Sequence, residues 1–506
     1  MNYKMMGKFL SQILMMEVIF MLPALLISIF DEEETATLGF VTAIAVISLV
    51  ALALYFICRN SEKRFYAREG FVCVGISWIA ISVFGCLPFL LSGEIPKPID
   101  ALFEMVSGFT TTGASILADV EALSRGILYW RSFSHWLGGM GVLVFLLALA
   151  PNRESGSGFT MHLLRAESPG PDVGKLVPKM RTTARILYLI YIFLTVLDFL
   201  FLLAGGMPVF DSVCTAFGTA GTGGFGIKND SIAGYSPYIQ NVCTVFMLLF
   251  GMNFSCFYLL LLRQVKAVWK DEELRLYVTI VVCSIFLLVW NLRGFYPTFG
   301  ETVRHAAFQV ASVVTTTGFA TTDFDLWPNF SRILLLLLMF VGACAGSTAG
   351  GLKVGRVLLL FKSLRRNIRR LLNPRRVEAV WVNGTKTSEE VIRNTNTYLV
   401  AYVMILVISI LLVSVDELTI PTNISAVISC FNNIGPGLEM VGPTANYSLF
   451  SNFSKLVLIF DMLAGRLEIF PILILFSGST WNRVNFSNKR KTGMWYIRDT
   501  RQWRGK

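Results

Sequence analysis

Four short glycine-centred segments recur in apolar surroundings: Thr110-Thr111-Thr112-Gly113, Ala220-Gly221-Thr222-Gly223, Thr315-Thr316-Thr317-Gly318 and Asn432-Asn433-Ile434-Gly435. Consecutive segments lie roughly a hundred residues apart, too far for a stacked solenoid and suited to a repeated membrane module. Each follows a helix-sized stretch, at about 100–108, 211–218, 301–313 and 422–431. At ~9–13 residues these stretches are too short to cross a bilayer. Non-helical backbone at membrane depth survives only where protein or water surrounds it, so the segments after these helices should line a cavity. Their carbonyls can replace the water around a dehydrated monovalent ion. The negative C-terminal ends of the short helices favour a cation at the same place. Close helix packing by small residues accounts for one such segment as well as an ion filter does, but not for four in matched settings.

Composition points the same way. The chain has 506 residues, 54% hydrophobic and 15% charged, with a mean hydropathy of +0.61, too apolar for a water-soluble protein. Ten stretches approach the ~20 apolar residues a span needs: 9–30, 38–58, 71–92, 127–150, 184–206, 238–262, 275–292, 331–361 (interrupted), 397–415 and 453–478. The first lacks a small-residue cleavage site and is followed by Asp31-Glu32-Glu33-Glu34, which reads as a retained span. The nine cysteines sit mostly in apolar runs with no metal-ligand or disulfide spacing, and read as small core residues.

The net charge of +11 is a topology signal first. Basic clusters fall at Lys4 and Lys8, Arg59–Arg68, Arg153–Arg185, Arg263–Arg275, Lys362–Arg376 and Arg483–Lys506. Each follows an even number of spans, so the positive-inside rule places that side and both termini in the cytoplasm. All four glycine segments then open from outside. No basic folded domain is present for a nucleic acid to bind. The run Arg365-Arg366, Arg369-Arg370, Arg375-Arg376 suits anionic lipid or an acidic partner, and the sequence leaves both open.

The last span of the third repeat holds ten consecutive small residues, Gly342 to Gly351. Helix packing needs a small residue every fourth position, so the run predicts an unwound loop crossing the pore beneath the filter. Gly346 to Lys353 looks superficially like a phosphate-binding loop, but Leu352 stands where the lysine belongs and no strand precedes it. Arg466 sits inside the last span, where a cation is expensive. Glu468 and Asp461, two and five positions away, do not share its helix face. Arg466 therefore serves as a barrier below the filter or holds loop carbonyls. Glu104 in the first short helix is placed to brace its segment through a backbone N–H, and Asp198 to pair with a neighbouring helix. His135, His162 and His305 have no acidic or cysteine partner at metal-ligand spacing, and no catalytic constellation can be assembled.

The chain resembles the Trk/Ktr/HKT superfamily of potassium transporters, and within it the TrkH branch. The likeness rests on Phe103-Glu104, Ser107 to Gly113, Trp136-Leu137-Gly138-Gly139-Met140-Gly141, Gly342 to Lys353, Asn432 to Gly437 and Gly465-Arg466-Leu467-Glu468, in the family's order over nearly the whole chain. The resemblance implies an all-α polytopic membrane protein: two N-terminal helices (1–70), pore repeats at 71–183, 184–274, 275–393 and 394–482, and a basic tail at 483–506. Expected filter residues are Thr111, Thr112, Gly113, Gly221, Thr222, Gly223, Thr316, Thr317, Gly318, Asn433, Ile434 and Gly435. The expected gate comprises Gly346, Gly350, Gly351, Lys353 and Arg466. The resemblance further implies K⁺ uptake across a bacterial plasma membrane, a homodimer, and a cytosolic TrkA-like regulatory ring binding NAD or ATP/ADP. No cofactor is expected in the chain itself. A cation-coupled secondary transporter is the rival reading; such folds prefer two inverted repeats with matching broken helices, whereas here only the third repeat is expected to break.

Overall fold

The computed structural model describes residues 2–60, 67–141, 180–375 and 378–481. Helices α1 (Tyr3–Phe30) and α2 (Glu34–Ile57) come first. Four versions of one motif follow: a long helix, a short buried helix, a glycine segment and a second helix. The first comprises α3 (Ala67–Gly85) with its extension α4 (Leu87–Leu91), the short α5 (Pro98–Phe109), and α6 (Arg125–Gly139). The second has α7 (Met180–Ala204), the short α8 (Val209–Gly221), and α9 (Pro237–Phe250) followed by α10 (Phe254–Leu261) and α11 (Val265–Lys270). The third has α12 (Glu272–Asn291), the short α13 (Phe299–Val314), α14 (Asn329–Val341) and α15 (Val354–Leu372). A small hairpin, β1 (Trp381–Val382) and β2 (Thr385–Lys386), leads to the fourth: α16 (Glu389–Val413), the short α17 (Ile420–Phe431), α18 (Asn452–Arg466), α19 (Phe470–Phe476) and α20 (Gly478–Trp481).

The ten apolar stretches do not make ten unbroken spans. Among the described residues six helices are long and apolar enough to cross a membrane, and Pro237–Phe250 with Phe254–Leu261 are so only when taken together, across a 90° bend. The second helix of every repeat stops early. α6, α9, α14 and α18 have 15, 14, 13 and 15 residues, about 20–22 Å of a hydrocarbon core of ~30 Å. A break was expected in the third repeat alone; all four second helices are of similar, short length. The local causes differ. α6 runs into Gly141 at φ 78° and α14 into Gly342 at φ 68°. α9 ends at Gly251, after which Asn253 starts α10 by accepting a hydrogen bond from the Ser255 N–H (2.9 Å). α18 ends just before Glu468 and Ile469, both at positive φ. The rest of stretch 127–150 lies outside the described residues, as do the basic segments 153–179 and 483–506.

The outer faces of α2, α12 and α16 carry Leu49, Phe286 and Leu411, each at least 70% exposed, which suits hydrocarbon and not water. The protein is a multi-pass membrane protein. All nine cysteines are free thiols and eight are buried.

Candidate ion-conduction site

The four short helices end in the same turn. Thr112 N–H donates to Ser107 C=O (2.9 Å), Gly223 to Gly218 (2.9 Å), Thr317 to Ser312 (2.8 Å) and Ile434 to Ser429 (3.0 Å). The residue before each is left-handed: Thr111 at φ 56°, Thr222 at 53°, Thr316 at 54° and Asn433 at 55°. Glycine normally supplies this helix stop. A β-branched threonine there is strained, a cost that persists where structure and function over-determine it.

Two residues beyond each of these left-handed positions comes a glycine at positive φ: Gly113 (78°), Gly224 (75°), Gly318 (86°) and Gly435 (101°). These four close a ring. A Cβ added at Gly113 would overlap the carbonyl oxygen of Gly223; at Gly224, that of Thr317; at Gly318, that of Ile434; at Gly435, that of Thr112. Each segment thus lies against the carbonyl of the next, and the fourth returns to the first. A vestibule of about 150 Å³ touches Gly113, Gly224, Gly318 and Gly435 together.

The ring corrects the register of the second segment by one residue. Thr222, Gly223 and Gly224 occupy the places of Thr111, Thr112 and Gly113, whereas Gly221 ends α8 and corresponds to Thr110. With two adjacent glycines the sequence does not distinguish the alignments; the left-handed position at Thr222 does.

Beneath the ring the chain is non-helical from Gly342 to Lys353, where the run of small residues predicts it. This loop touches the second, third and fourth repeats. Cys344 N–H donates to Gly251 C=O (3.1 Å), and Gly346 C=O accepts from Phe254 N–H (3.0 Å). Gly350 N–H donates to Oγ1 of the strained Thr316 (2.7 Å). A Cβ at Gly350 would overlap the Asn432 carbonyl. Gly351 and Lys353 are at positive φ, and Lys353 Nζ donates to Ala349 C=O (2.6 Å). Arg466 completes the layer. Its guanidinium donates to Thr348 C=O of the loop (2.8 Å), Gly139 C=O (2.6 Å), Gly138 C=O and Thr111 Oγ1 (3.3 Å). The carbonyl end of α6 is the negative end of that helix and suits a cation. Both roles left open for Arg466 therefore fit one position: it holds a loop carbonyl and puts positive charge below the ring.

Glu104 braces the first segment as its position suggests, accepting from Ile116 N–H (2.9 Å) and Ser115 Oγ (2.9 Å). Its main partner, Arg131 (2.6 Å), had gone unrecognised. Arg131 also donates to Gly226 C=O (2.8 Å) and lies over the Phe225 ring (3.5 Å), tying the first repeat to the second. The signal was present: Arg131 is a lone charge early in an apolar stretch. Arg356 pairs with Glu468 and Lys455 with Asp100 (2.6 Å). Asp198 is fully buried on α7. Glu273, in the first turn of α12, accepts from Ala345 N–H in the loop (2.6 Å), and its carboxylate lies beside Gly355 in the first turn of α15. It thus sits against both the unwound stretch and the start of the helix that follows it.

Four re-entrant helices that bring carbonyl-bearing turns to one axis, within a multi-pass membrane protein, define a pore-type cation transport protein. The arrangement brings backbone oxygens of the four segments to one axis, with the loop and the Arg466 guanidinium packed beside them. The chain belongs to the TrkH family of cation transport proteins, whose family model matches residues 37–483. It is 36% identical over 472 residues to the Trk system potassium uptake protein TrkH of Salmonella typhimurium, covering 91% of this chain and 95% of that one. It is 37% identical over 432 residues to the protein of the same name from Escherichia coli K12, covering 84% and 88%. The crystal structure of the potassium transporter TrkH from Vibrio parahaemolyticus superposes with a TM-score of 0.84 at 31% identity, over 95% of this chain and 100% of that one. The family is one of transporters, and the chain is a transporter, not an enzyme.

Proposed function

We propose that this chain conducts potassium into a bacterial cell through one pore per subunit, across the plasma membrane, with both termini cytoplasmic. The observation that carries the reading is the closed cycle of glycine-to-carbonyl approaches among the four segments. The ligands for K⁺ are carbonyls of Thr111, Thr112 and Gly113, of Thr222, Gly223 and Gly224, of Thr316, Thr317 and Gly318, and of Asn433, Ile434 and Gly435. The choice of K⁺ rests on the names its relatives carry, potassium uptake protein among them. The loop from Gly342 to Lys353, with Gly346, Gly350 and Gly351 as its flexible points, acts as the gate, and Arg466 as its latch. The repeats at 71–183, 184–274, 275–393 and 394–482 are the units of the pore, after an N-terminal pair of helices at 1–70.

The working assembly in this reading is a homodimer with a cytosolic nucleotide-binding ring, TrkA-like, that binds NAD or ATP/ADP. That ring docks on the arginine-rich face of α15. Potassium flux into proteoliposomes of purified protein tests the function. Flux down a K⁺ gradient alone supports a channel-like pore. Flux only with an imposed H⁺ or Na⁺ gradient supports coupled transport instead, and no K⁺ flux under either condition rejects the reading.

A further inference from the structure

We propose that His135 is the positioning residue of the second filter segment, replacing side chains which that segment lacks; this rests on the filter reading above. In the first and third segments paired hydroxyls stand behind the ring. Thr110 Oγ1 and Thr112 Oγ1 are 2.8 Å apart, as are Thr315 Oγ1 and Thr317 Oγ1. In the second segment the same two places are Gly221 and Gly223. His135 of α6 takes the vacant volume. A Cβ at Gly221 would overlap the His135 carbonyl, and one at Gly223 would overlap its imidazole.

The imidazole is fully buried. Its Nδ1 lies 2.8 Å from Gly108 C=O, and its Nε2 accepts from Phe225 N–H (3.2 Å). A carbonyl accepts only, so Nδ1 carries the proton and Nε2 is left as the acceptor, which fixes one neutral tautomer. The ring thereby links the end of the first short helix to the residue after Gly224. Adjacent glycines lose more backbone freedom on ordering than other residues. Two hydrogen bonds from a rigid, buried ring supply the order that threonine hydroxyls give elsewhere. Both ring nitrogens of His135 face backbone groups, and its task is to hold the Gly223 carbonyl in the ring.

The test is K⁺ against Na⁺ uptake by full-length protein in proteoliposomes. His135→Ala removes both hydrogen bonds and should lower K⁺ preference by about tenfold. His135→Gln, which donates with one end and accepts with the other, should stay within about threefold of wild type. Gly223→Thr alone should also lower preference, because its side chain meets the imidazole. Combined with His135→Ala it should recover selectivity relative to either single change. Wild-type selectivity in His135→Ala, a glutamine variant as damaged as the alanine one, or a double variant no better than its parents each overturns the proposal. If His135→Ala does not yield folded protein, Gly223→Thr against the double variant decides. Gly435→Ser, in another segment, separates the two levels. Selectivity lost there but kept in His135→Ala rejects the brace alone, while selectivity kept in both rejects the filter.

Discussion

Glu273 offers the sharpest perturbation of the gate, because it grips the loop away from the filter. Its carboxylate accepts from Ala345 N–H at 2.6 Å and lies beside Gly355, so it touches the chain on either side of Gly346 to Gly351. Hydrogen bonds to a charged group contribute about 1.5–3 kcal/mol. In Glu273→Gln the amide oxygen still accepts from Ala345 N–H but the charge is gone, and a bond between neutral groups contributes about 0.5–1.5 kcal/mol. The loss of about 1–1.5 kcal/mol lowers the closed-to-open ratio of the loop about 5- to 10-fold. With the loop mostly closed at rest, initial K⁺ uptake into proteoliposomes should rise by about the same factor. Discrimination against Na⁺ should hold, since the Glu273 bond runs to the loop. Gly355→Ala should act in the same direction, because its Cβ would come within 2.9 Å of the Glu273 carboxylate. Wild-type flux in a folded Glu273→Gln protein would refute the reasoning, and lost selectivity would mean that the loop supports the filter instead of closing it.

Arg466→Ala, and deletion of about half of the loop, should each raise K⁺ flux in the same assay with selectivity intact. Together they should give less than the sum of their effects, since both act on one barrier. Charge reversal at Arg365, Arg366, Arg369 and Arg370 should weaken co-purification of the cytosolic ring and make it more salt-sensitive. Arg366 and Arg369 already pair with Glu389 (2.5 Å) and Glu378 (2.7 Å), so Arg365 and Arg370 should contribute most. Unchanged binding moves the docking site elsewhere on the chain.

Much of this arrangement was legible before any coordinates. The four segments, the unwound run from Gly342, Arg466 within the last apolar stretch and the brace at Glu104 all announce themselves, because glycine runs and charges in apolar stretches have few alternative explanations. The breaks were not legible. Hydropathy reads side chains, and the residues around Gly251 stay mostly apolar while the backbone turns away; around Leu467 the charges Arg466 and Glu468 mark a site but not a break in the helix. A single Asn253 side chain or a positive φ at Ile469 ends a span without changing its composition. The register at Gly223 and Gly224 is hidden in the sequence because two glycines satisfy either alignment; the left-handed Thr222 and the neighbouring carbonyls decide. His135, Arg131 and Glu273 escaped for one shared reason. Their partners, Phe225 N–H, Glu104 and Ala345 N–H, lie 90, 27 and 72 residues away, and tertiary packing alone joins them.

The central claim is that four segments form one selective ring, and the K⁺-to-Na⁺ uptake ratio of Gly113→Ser, Gly224→Ser, Gly318→Ser and Gly435→Ser tests it most directly. Every one of these side chains would enter the space of a neighbouring segment's carbonyl on a backbone that strongly favours glycine. The account predicts a clear K⁺ preference in the wild-type protein and its erosion in all four single variants, including the second repeat at Gly224. A wild-type ratio in all four would contradict it.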